Sequence, residues 1–450
     1  MNFRQLPWRS PFAAFAPLEG RADAHLLHGR DRSAVGRADW SIIVVDPADS
    51  FELRAGDDPA HWLETVAAAH GRRRRDGPAP DALAAAPFLS GLVGYLGYEA
   101  LAGLEPSLDL PVSPYALPAA RLCAYDAAAL FNTSDERLFV VERRAGAGDR
   151  LAALLGEAAP ALVAPDAFRL SSNFSRDDYI DAVSTIIERI GAGDFFQANI
   201  AQMLLARSAE PVSMLGVFMR LATQSDAAFG ALLQFADGAI LSNSPERFFR
   251  IDVHRRIVTE PIKGTRPRGQ TPHEDIALAE ELLADAKDRA ENIMIADLMR
   301  NDLSKICRDH TIREDAICAL LSLSHVHHLV SRISGGLRDE ASIGDVFKAL
   351  FPSGSITGAP KIAAMQAIAD IERVGRGPYC GAIGYIDDRG AADFSVAIRT
   401  MIADAERRRI AIPVGGGVTL RSNPPAEYDE TIVKAAAALA ALGVSRDVLA

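Results

Sequence analysis

The sequence contains little cysteine, and this scarcity limits the metal and disulfide chemistry that it can support. Its four cysteines, Cys123, Cys307, Cys318 and Cys380, form no CxxC pair. Neither a zinc ribbon nor a disulfide framework is therefore indicated. We expect reduced and mostly buried thiols.

Long hydrophobic runs are also lacking. No apolar stretch approaches the roughly 18 residues that a membrane-spanning helix needs. The amino-terminal segment MNFRQLPWRSPFAAFAPLEG has no apolar core of signal-peptide length. We therefore expect no membrane association and a cytoplasmic location.

An excess of positive charge is missing as well, because 59 acidic residues outnumber 48 basic ones and the formal net charge is -11. Proteins that bind nucleic acid usually present a basic face, so no nucleic-acid partner is expected. A small anionic substrate held by a few local cations stays compatible with this balance. The 450 residues, 49% of them hydrophobic, suit one large or two medium globular domains.

One compositional change divides the chain. Residues 145–164 are rich in alanine and glycine and lack aromatic side chains, which is typical of a linker or a peripheral helix. We therefore predict an amino-terminal region over 1–165, intertwined with the core, and a catalytic domain over 166–445. Strands are predicted at 40–45, 91–96, 198–205, 239–242, 248–253 and 325–333, and helices at 60–71, 176–190, 273–308, 360–372 and 425–442. Strands in runs with helices between them, without strict βαβ alternation, indicate an α+β fold with large sheets covered by helices.

Two predicted helices carry acidic pairs at helical spacing. In EYDETIVK, Glu427, Glu430 and Lys434 fall within roughly 60° of arc on one helix face. Asp288 and Glu291 lie one turn apart on another helix. Either pair alone is better explained as a solvated acidic face. Together they can supply the oxygen ligands that Mg²⁺ prefers, one or two carboxylates beside water and substrate oxygens.

Two glycine-rich segments could hold an anion. Residues 352–361, PSGSITGAPK, form a loop that runs into a helix, with Pro360 suited to the first helical turn. Such a loop exposes N–H groups to a carboxylate or phosphate, although a plain capping loop is as compatible. It lacks the order of a nucleotide P-loop, so ATP is not indicated. Gly415, Gly416 and Gly417 follow a predicted strand, where they permit either close approach of a ligand or a bulge.

The turn segment TEPIKGTRPR raises a separate question, because it carries Lys263 between β-type residues and a glycine. A solvated surface lysine is the simplest interpretation of this position considered alone.

The motifs, taken in their order along the chain, resemble the chorismate-utilising enzymes. This family comprises anthranilate synthase large subunits, aminodeoxychorismate synthase component I, isochorismate synthases and salicylate synthases. The matching stretches lie within about 170–440 and are FFQANIAQ, SNSPERFF, TEPIKGTRPRG, DRAENIMIADLMRNDL, HHLVSRI, FPSGSITGAPKI, RGPYCGAIGY, AIRT, GGGV and EYDETIVKA. GLVGYLGYEALAGLEP matches more weakly. The resemblance implies two large, mostly antiparallel sheets packed together with helices outside, chorismate as substrate and a requirement for Mg²⁺.

The resemblance also implies a role for each matching residue. Glu291 and Glu430 correspond to metal ligands, with Asp288 and Glu427 supporting the metal, and Lys434 lies beside the ring carboxylate of chorismate. Glu246 occupies the general-acid position, from which it would protonate the departing C4 hydroxyl. The remaining substrate-binding positions are Tyr379, Arg399, Gly415, Gly416, Gly417, His328, Thr357, Thr265 and Gln197.

Lys263 and Gln197 distinguish the branches of the family. The anthranilate branch has alanine at the position of Lys263, whereas the aminodeoxychorismate branch has a lysine that acts as a nucleophile. Members that add water carry a lysine at the position of Gln197, and glutamine cannot serve as a base. The resemblance therefore implies amination of chorismate at C4 through a lysine adduct, on the way to p-aminobenzoate and folate.

Partners follow from what the sequence does not contain. No nucleophilic cysteine lies in a glycine-rich elbow, so the resemblance implies a separate glutamine amidotransferase subunit that supplies ammonia. We also expect a separate aminodeoxychorismate lyase, since no segment for a pyridoxal-phosphate domain follows the match. The alternatives are an anthranilate synthase large subunit and a non-catalytic chorismate-binding paralogue. Whether tryptophan binds near 18–20 and 28–30 is left open.

Overall fold

A computed structural model describes residues 1–29, 40–75, 77–161, 167–224, 227–323 and 326–445. Within these ranges the chain forms one sheet of 12 strands and one of 10 strands. All the strand pairs in both sheets are antiparallel. The predicted fold of two large antiparallel sheets with helices outside is confirmed.

The strands are β1 (Asn2–Leu6), β2 (His25–His28), β3 (Trp40–Val44), β4 (Asp49–Leu53), β5 (Gly91–Leu96), β6 (Ala120–Tyr125), β7 (Ala127–Asn132), β8 (Arg137–Glu142), β9 (Arg169–Ser172), β10 (Gln197–Arg207), β11 (Phe229–Phe235), β12 (Gly238–Ser244), β13 (Arg247–Ile251), β14 (Arg256–Glu260), β15 (Ile262–Pro267), β16 (Arg313–Ser322), β17 (Val326–Gly336), β18 (Gly358–Ala359), β19 (Ala382–Asp387), β20 (Ala392–Val396), β21 (Thr400–Asp404) and β22 (Arg409–Thr419). The helices are α1 (Pro11–Phe15), α2 (Pro59–Arg73), α3 (Ala147–Leu155), α4 (Arg176–Ala192), α5 (Met214–Gln224), α6 (Pro272–Ala284), α7 (Ala286–Ser304), α8 (Ile343–Leu350), α9 (Lys361–Glu372) and α10 (Pro424–Ala441).

Each sheet mixes early and late strands. The first sheet runs β1-β8-β7-β3-β2-β11-β12-β21-β22-β10-β18, with β9 also paired to β10. The second runs β15-β17-β14-β13-β20-β19-β5-β6-β4, with β16 also paired to β17. Strands from before and after the compositional change at 145–164 therefore pair within both sheets. The boundary predicted at 165/166 falls outside the described residues, and the division into two domains stays a prediction.

The alternation of side chains along each strand builds the core. Successive residues of a strand point to opposite faces, so Ile42 and Ile240 enter the cluster between the sheets. Their neighbours Ile43 and Leu241 enter a second cluster on the far face of the first sheet. Both faces are buried, which explains why the strands read as continuous apolar runs in the sequence.

Helices cover the outer face of each sheet. Buried residues of α3, α5 and α10 pack on the first sheet, including Leu151, Phe218 and Leu439. Buried residues of α2, α7 and α8 pack with the second sheet, including Trp62, Met299 and Phe347. Helix α4 begins with the capping box that the sequence predicts, in which Ser175 and Asp178 each accept a hydrogen bond from the other's backbone N–H. None of the helices in these ranges has the length and hydropathy to cross a bilayer.

Three local predictions are wrong. The helix expected over 273–308 is two helices, because Asp285 ends α6 and its carboxylate accepts hydrogen bonds from the first N–H groups of α7. Pro360 precedes helix α9 at the N-cap rather than lying in its first turn. The three glycines at 415–417 do not follow a strand, since they lie inside β22 and pair with β10.

Candidate active site

The two sheets approach each other where Lys263 of β15 faces Gly417 of β22. A Cβ added to Gly417 would lie 3.4 Å from the Lys263 Nζ and 2.7 Å from the Gln197 Nε2. Lys263 is half-buried, and its Nζ donates a hydrogen bond to the Ser355 carbonyl oxygen at 3.1 Å. The lysine therefore points inward between the sheets and not into bulk solvent, which contradicts the surface interpretation of the turn.

Gln197 is the most unusual polar group at this junction. Its side chain is fully buried, and neither its Nε2 nor its Oε1 has a hydrogen-bond partner among the described residues. Leaving a buried amide without partners costs about 1–3 kcal/mol, so such groups are rare in folded proteins. The amide is free to bind a polar ligand at the point where Lys263 ends.

Glu246 lies on the short connection between β12 and β13, next to the same lysine. Its carboxyl group is buried, and its Oε1 lacks a hydrogen-bond partner among the described residues. Burial raises the pKa of Glu246 to about 7, against the opposing effects of a hydrogen bond with Ser355 and the charge of Lys263. A substantial fraction of this side chain is therefore protonated near neutral pH and can donate a proton.

The charge on Lys263 is disfavoured by its surroundings. Desolvation lowers the pKa of Lys263 below its usual value, and the positive charge of Lys434 acts in the same direction. The carboxylates of Glu291, Glu246 and Glu430 oppose this shift. The net direction favours a neutral amine, which is the nucleophilic form.

The glycines of β22 leave backbone N–H groups available. The carbonyl of Gly415 accepts a hydrogen bond from Lys434 at 2.9 Å, so this residue's backbone groups point away from β10. The N–H of Asn199, which pairs with Gly417, donates to the Thr357 carbonyl instead of to β22. Because N–H and C=O of one strand residue point to the same side, the N–H groups of Gly415 and Gly417 face the open edge of β22. They can bind an anion there.

The acidic residues and Lys434 occupy the adjoining surface. Glu427, Glu430 and Lys434 share one face of α10, as predicted. A Cβ added to Gly416 would lie 3.2, 3.9 and 3.7 Å from the Glu427 Oε2, the Glu430 Oε1 and the Lys434 Nζ. Lys434 also pairs with Glu430 at 2.7 Å. Burial raises the pKa of Glu430, but the hydrogen bond and charge of Lys434, with the charges of Lys287 and Lys263, more than compensate, and the net shift is downward.

Helix α7 supplies the other two carboxylates. The Glu291 Oε1 is buried without a hydrogen-bond partner among the described residues, and Lys287 approaches it only to 3.9 Å. Asp288 is paired with Arg266 at 3.2 Å. Burial raises the pKa of Glu291 and of Asp288. The negative charges of Asp288 on α7 and of Glu427 on α10 also raise the pKa of Glu291, so the carboxylates of the two helices are close enough to repel each other.

This donor set fits a hard divalent cation. Desolvation raises the pKa of Glu291 and Glu427, so a bound cation would relieve the cost of their buried charge. Within the described part of the chain, no three carboxylate oxygens of this set lie within 4.8 Å of one another. Mg²⁺ does not require such a cluster, because it takes one or two protein carboxylates and completes its shell with water and substrate oxygens.

Arg399, His328 and Thr265 form a second group beside Lys263. The His328 Nδ1 lies 3.0 Å from the Thr265 Oγ1 and 3.3 Å from the Gly264 carbonyl oxygen. Burial lowers the pKa of His328 to about 4, with a further contribution from the charge of Arg399. The ring is therefore neutral. Its Nε2 is buried without a hydrogen-bond partner among the described residues and can meet a ligand.

Arg399 itself is a cation without a counter-ion among the described residues. Its guanidinium makes no hydrogen bond or ion pair within the described ranges, and desolvation lowers its pKa. A desolvated guanidinium favours a carboxylate ligand, to which it can donate two parallel hydrogen bonds. Tyr379 reaches the same region because the Cys380 N–H donates to the Ala397 carbonyl, two residues before Arg399.

The predicted site residues thus gather around Lys263, with two qualifications. Thr357 is fully buried, but its hydroxyl donates to the Ser353 carbonyl at 3.0 Å, so only its acceptor lone pairs are free. Thr265 is exposed, and it contacts the site through His328. The structure also adds Ser355. Its carbonyl oxygen accepts a hydrogen bond from Lys263, and its side chain forms a hydrogen bond with Glu246.

Sequence reasoning missed Arg376. Its guanidinium is buried, pairs with Glu372 at 2.6 Å and donates to the carbonyls of Asn199 and Ile356. It thereby ties β10 and the 352–361 loop to the segment that carries Tyr379. The spacing of Glu372 and Arg376 gave no signal, because α9 ends at Glu372 and Arg376 lies beyond the helix.

The chain matches the family described as chorismate binding enzyme over residues 28–440. It is 35% identical to the aminodeoxychorismate synthase component 1 of Salmonella typhimurium, over 95% of each protein. It is also 35% identical to an anthranilate synthase component 1 of Haloarcula marismortui, over 94% of this chain and 91% of the relative.

Two solved structures share the fold. Anthranilate synthase component I from Streptococcus pneumoniae superposes with a TM-score of 0.77 at 26% identity, covering 89% of this chain and 92% of that one. The menaquinone-specific isochorismate synthase of Escherichia coli has a TM-score of 0.75 at 17% identity, covering 98% and 94%. Since one family description spans most of the chain and the fold agrees, the chain belongs to the chorismate binding enzymes.

Proposed function

We propose that this chain is the chorismate-aminating component of an aminodeoxychorismate synthase, which converts chorismate and ammonia to 4-amino-4-deoxychorismate. The observation that carries the proposal is the inward position of Lys263, between Gly417 and the Ser355 carbonyl. A nucleophile at this point distinguishes the C4-aminating reaction from the formation of anthranilate. The comparisons support a chorismate-utilising enzyme of either type and do not separate them.

The proton balance between Lys263 and Glu246 supports a nucleophilic role. A charged pair, ammonium with carboxylate, holds the same number of protons as a neutral pair, amine with carboxylic acid. Moving one proton from Lys263 to Glu246 therefore creates the nucleophile and the general acid together. Desolvation favours the neutral pair, since burial raises the pKa of Glu246 and lowers that of Lys263.

In the first step, the neutral amine of Lys263 forms a bond to C2 of chorismate. The ring double bonds shift, the bond from C4 to its hydroxyl oxygen breaks, and the Glu246 carboxyl donates the proton with which water leaves. The nitrogen of Lys263 then loses one proton to the Glu246 carboxylate, which restores the carboxylic acid. Glu246 is buried and suited to this transfer, because its pKa of about 7 lies near working pH.

In the second step, ammonia forms a bond to C4, the bonds shift back, and the bond between C2 and the Lys263 nitrogen breaks. The departing amine takes up a proton, and the new amine at C4 loses one. Gln197 lies beside Lys263 with an unpartnered amide, which can accept from ammonia or donate to the substrate. Because an amide cannot remove a proton, water is not activated at this position.

Other residues orient the substrate. We assign the enolpyruvyl carboxylate to Arg399, Tyr379 and the open N–H groups of Gly415 and Gly417, since a desolvated guanidinium and backbone donors favour an anion there. Lys434 would lie beside the ring carboxylate. His328 accepts a hydrogen bond through its unpartnered Nε2.

Glu291 and Glu430 would hold Mg²⁺, with Asp288 and Glu427 orienting its water ligands. When bound, the ion neutralises the ring carboxylate of chorismate and draws electron density from the ring. The chain's own contribution is to keep these carboxylates on two facing helices, α7 and α10.

The proposal includes two partners. A separate glutamine amidotransferase component would supply ammonia, in keeping with the name component 1 of the Salmonella typhimurium relative. A separate lyase would then release p-aminobenzoate for folate synthesis.

The test is to identify the product of the purified protein with chorismate, Mg²⁺ and ammonium by mass spectrometry and ultraviolet absorbance. We expect the 4-amino isomer from the wild type and its loss in Lys263→Ala. Lys348→Ala, which removes an exposed lysine of α8, is the matched control and should keep full activity. If the wild type and Lys263→Ala both give anthranilate at similar rates, the proposal fails and the anthranilate synthase assignment replaces it.

A further inference from the structure

A second cluster of ligand-type side chains lies away from the chorismate site. Asp23, His25 and Cys123 each offer one atom, and these three atoms lie within 4.8 Å of one another. His25 and Cys123 have no exposed surface, and the carboxylate of Asp23 is 17% exposed. The cluster is thus enclosed on most sides but open to solvent along the aspartate.

The imidazole of His25 lacks a hydrogen-bond partner among the described residues. Both of its ring nitrogens are buried without a hydrogen-bond partner among the described residues. Its ring is held between Tyr125 and Phe235, at centroid distances of 5.9 and 4.9 Å. A fully buried imidazole normally bonds through at least one nitrogen. Here one nitrogen lies within 4.8 Å of an Asp23 carboxylate oxygen and of the Cys123 sulfur.

The two oxygens of Asp23 have different surroundings. Its Oδ2 accepts a hydrogen bond from Arg121 at 2.7 Å, whereas its Oδ1 lies 3.9 Å from the Cys123 Sγ. Arg121 also pairs with Glu52 at 2.6 Å, so its charge is already balanced. Metal-ligating carboxylates are commonly oriented by such an outer hydrogen bond. Arg121 therefore fixes Asp23 through its Oδ2, while the Oδ1 accepts a hydrogen bond from the Cys123 thiol and so points toward the sulfur.

We propose that Asp23, His25 and Cys123 bind a zinc ion through the Asp23 Oδ1, one imidazole nitrogen and the Cys123 sulfur. Thiolate, imidazole and carboxylate are the ligands that Zn²⁺ takes, and a fourth position would hold water. Binding forms the metal–sulfur bond and releases the thiol proton to solvent. Two anionic ligands then neutralise the ion, while Arg121 and Glu52 neutralise each other.

The site would join the two sheets. His25 belongs to β2 of the first sheet, and Cys123 belongs to β6 of the second. One ion would therefore crosslink a strand of each sheet, beside the hydrogen bonds that Arg121 and Tyr125 of β6 make to Asp23. Pairwise cysteine spacing could not indicate this site, because the ligands stand about 100 residues apart in the chain.

The experiment uses Co²⁺ as an optical probe for Zn²⁺ on the full chain, purified without chelators. A thiolate ligand gives Co²⁺ an intense ultraviolet charge-transfer band, which the oxygen ligands of the chorismate site cannot produce. We expect an equimolar band in the wild type that Zn²⁺ abolishes, and a higher melting temperature with Zn²⁺. The band should vanish in Cys123→Ser and persist in Cys307→Ser, which alters another buried free thiol.

Two outcomes would overturn the site. The first is the absence of both the band and a zinc-dependent rise in melting temperature in the wild type, a result that depends on no variant folding. The second is an equal band in Cys123→Ser, which would show an adventitious ion only. Neither outcome bears on the identity of the chorismate product, so this test and that of the proposed function fail independently.

Discussion

The Gln197 Nε2 lies 2.7 Å from the position that a Cβ on Gly417 would occupy. The missing side chain of one strand therefore provides the space into which the amide of its neighbour projects. Because that amide has no protein partner within the described ranges, the space is polar and suits a ligand that hydrogen-bonds. Of the two interpretations of the glycine run, this space favours close approach of a ligand over a bulge.

Gly417→Ala should fill the space with one methyl group. The added Cβ would collide with the Gln197 amide and contact the Lys263 Nζ at 3.4 Å, so chorismate turnover should fall while the protein stays folded. Steady-state kinetics with circular dichroism measure both effects. Gly71→Ala is the matched change, because a Cβ there meets no atom within 4 Å in helix α2, and it should add about 0.5–1 kcal/mol of stability. Unchanged kinetics in Gly417→Ala would exclude this space from the substrate site.

Gln197→Leu should separate stability from activity. Removing a buried amide without partners should raise the free energy of unfolding by about 1–3 kcal/mol, while amination is lost. Urea unfolding and product assays measure the two quantities. The control is Gln202→Leu on the same strand, whose amide donates to the Thr431 Oγ1 at 2.6 Å and accepts from the Ser172 Oγ at 3.0 Å. That change should destabilise the protein. A destabilised Gln197→Leu would mean that the amide has partners after all.

Glu246→Gln should change the pH profile as well as the rate. Burial raises the pKa of Glu246 to about 7, so the proton that it donates is present below that pH and lost above it. The wild-type rate should therefore decline as pH rises through this region, with apparent pKa values that belong to the coupled pair with Lys263. The variant should lose roughly 10²–10⁴ in kcat. It should also lose the alkaline decline; a decline that persists unaltered would assign the acid to another group.

Arg399→Met should raise KM for chorismate by about 100-fold or more, because one partner of a buried charge pair with substrate is removed. The free protein should not lose stability, since the guanidinium forms no ion pair within the described ranges and its burial is unfavourable. Kinetics and thermal unfolding give the comparison. Arg247→Met is the contrasting change, because Arg247 is buried between Glu260 and Asp393 and its removal should cost about 3–5 kcal/mol. Unchanged KM in Arg399→Met would remove it from the substrate site.

The sequence predicts the strands of this fold well where their side chains are apolar on both faces, as at 40–45 and 239–242. It also predicts that Glu427, Glu430 and Lys434 share one face of a helix, because helical periodicity alone places them together. The helix predicted over 273–308 fails at Asp285, since a side chain that caps one helix is indistinguishable in sequence from an ordinary acidic residue inside it.

The inward direction of Lys263 could not be derived from its own segment. It depends on the register between β15 and β17, which shifts by a bulge between Lys263 and Thr265, and on the approach of β22 from the other sheet. The position of Arg376 depends likewise on carbonyls from two distant segments. The proposed nucleophilic role of Lys263 rests on the family resemblance. The local sequence pattern shows only that the lysine stands between β-type residues and a glycine.

The strand order of the first sheet has a consequence for the synthesis of the protein. Strand β12 pairs on one side with β11, which directly precedes it, and on the other with β21, which begins at Thr400. At typical elongation rates, roughly 10–30 s separate the emergence of these two strands from the ribosome. During that interval, β12 and the strands before it present a bare edge of unpaired N–H and C=O groups. Until β21 arrives, this edge can pair with another growing chain, and slower translation lengthens the interval in which it can do so.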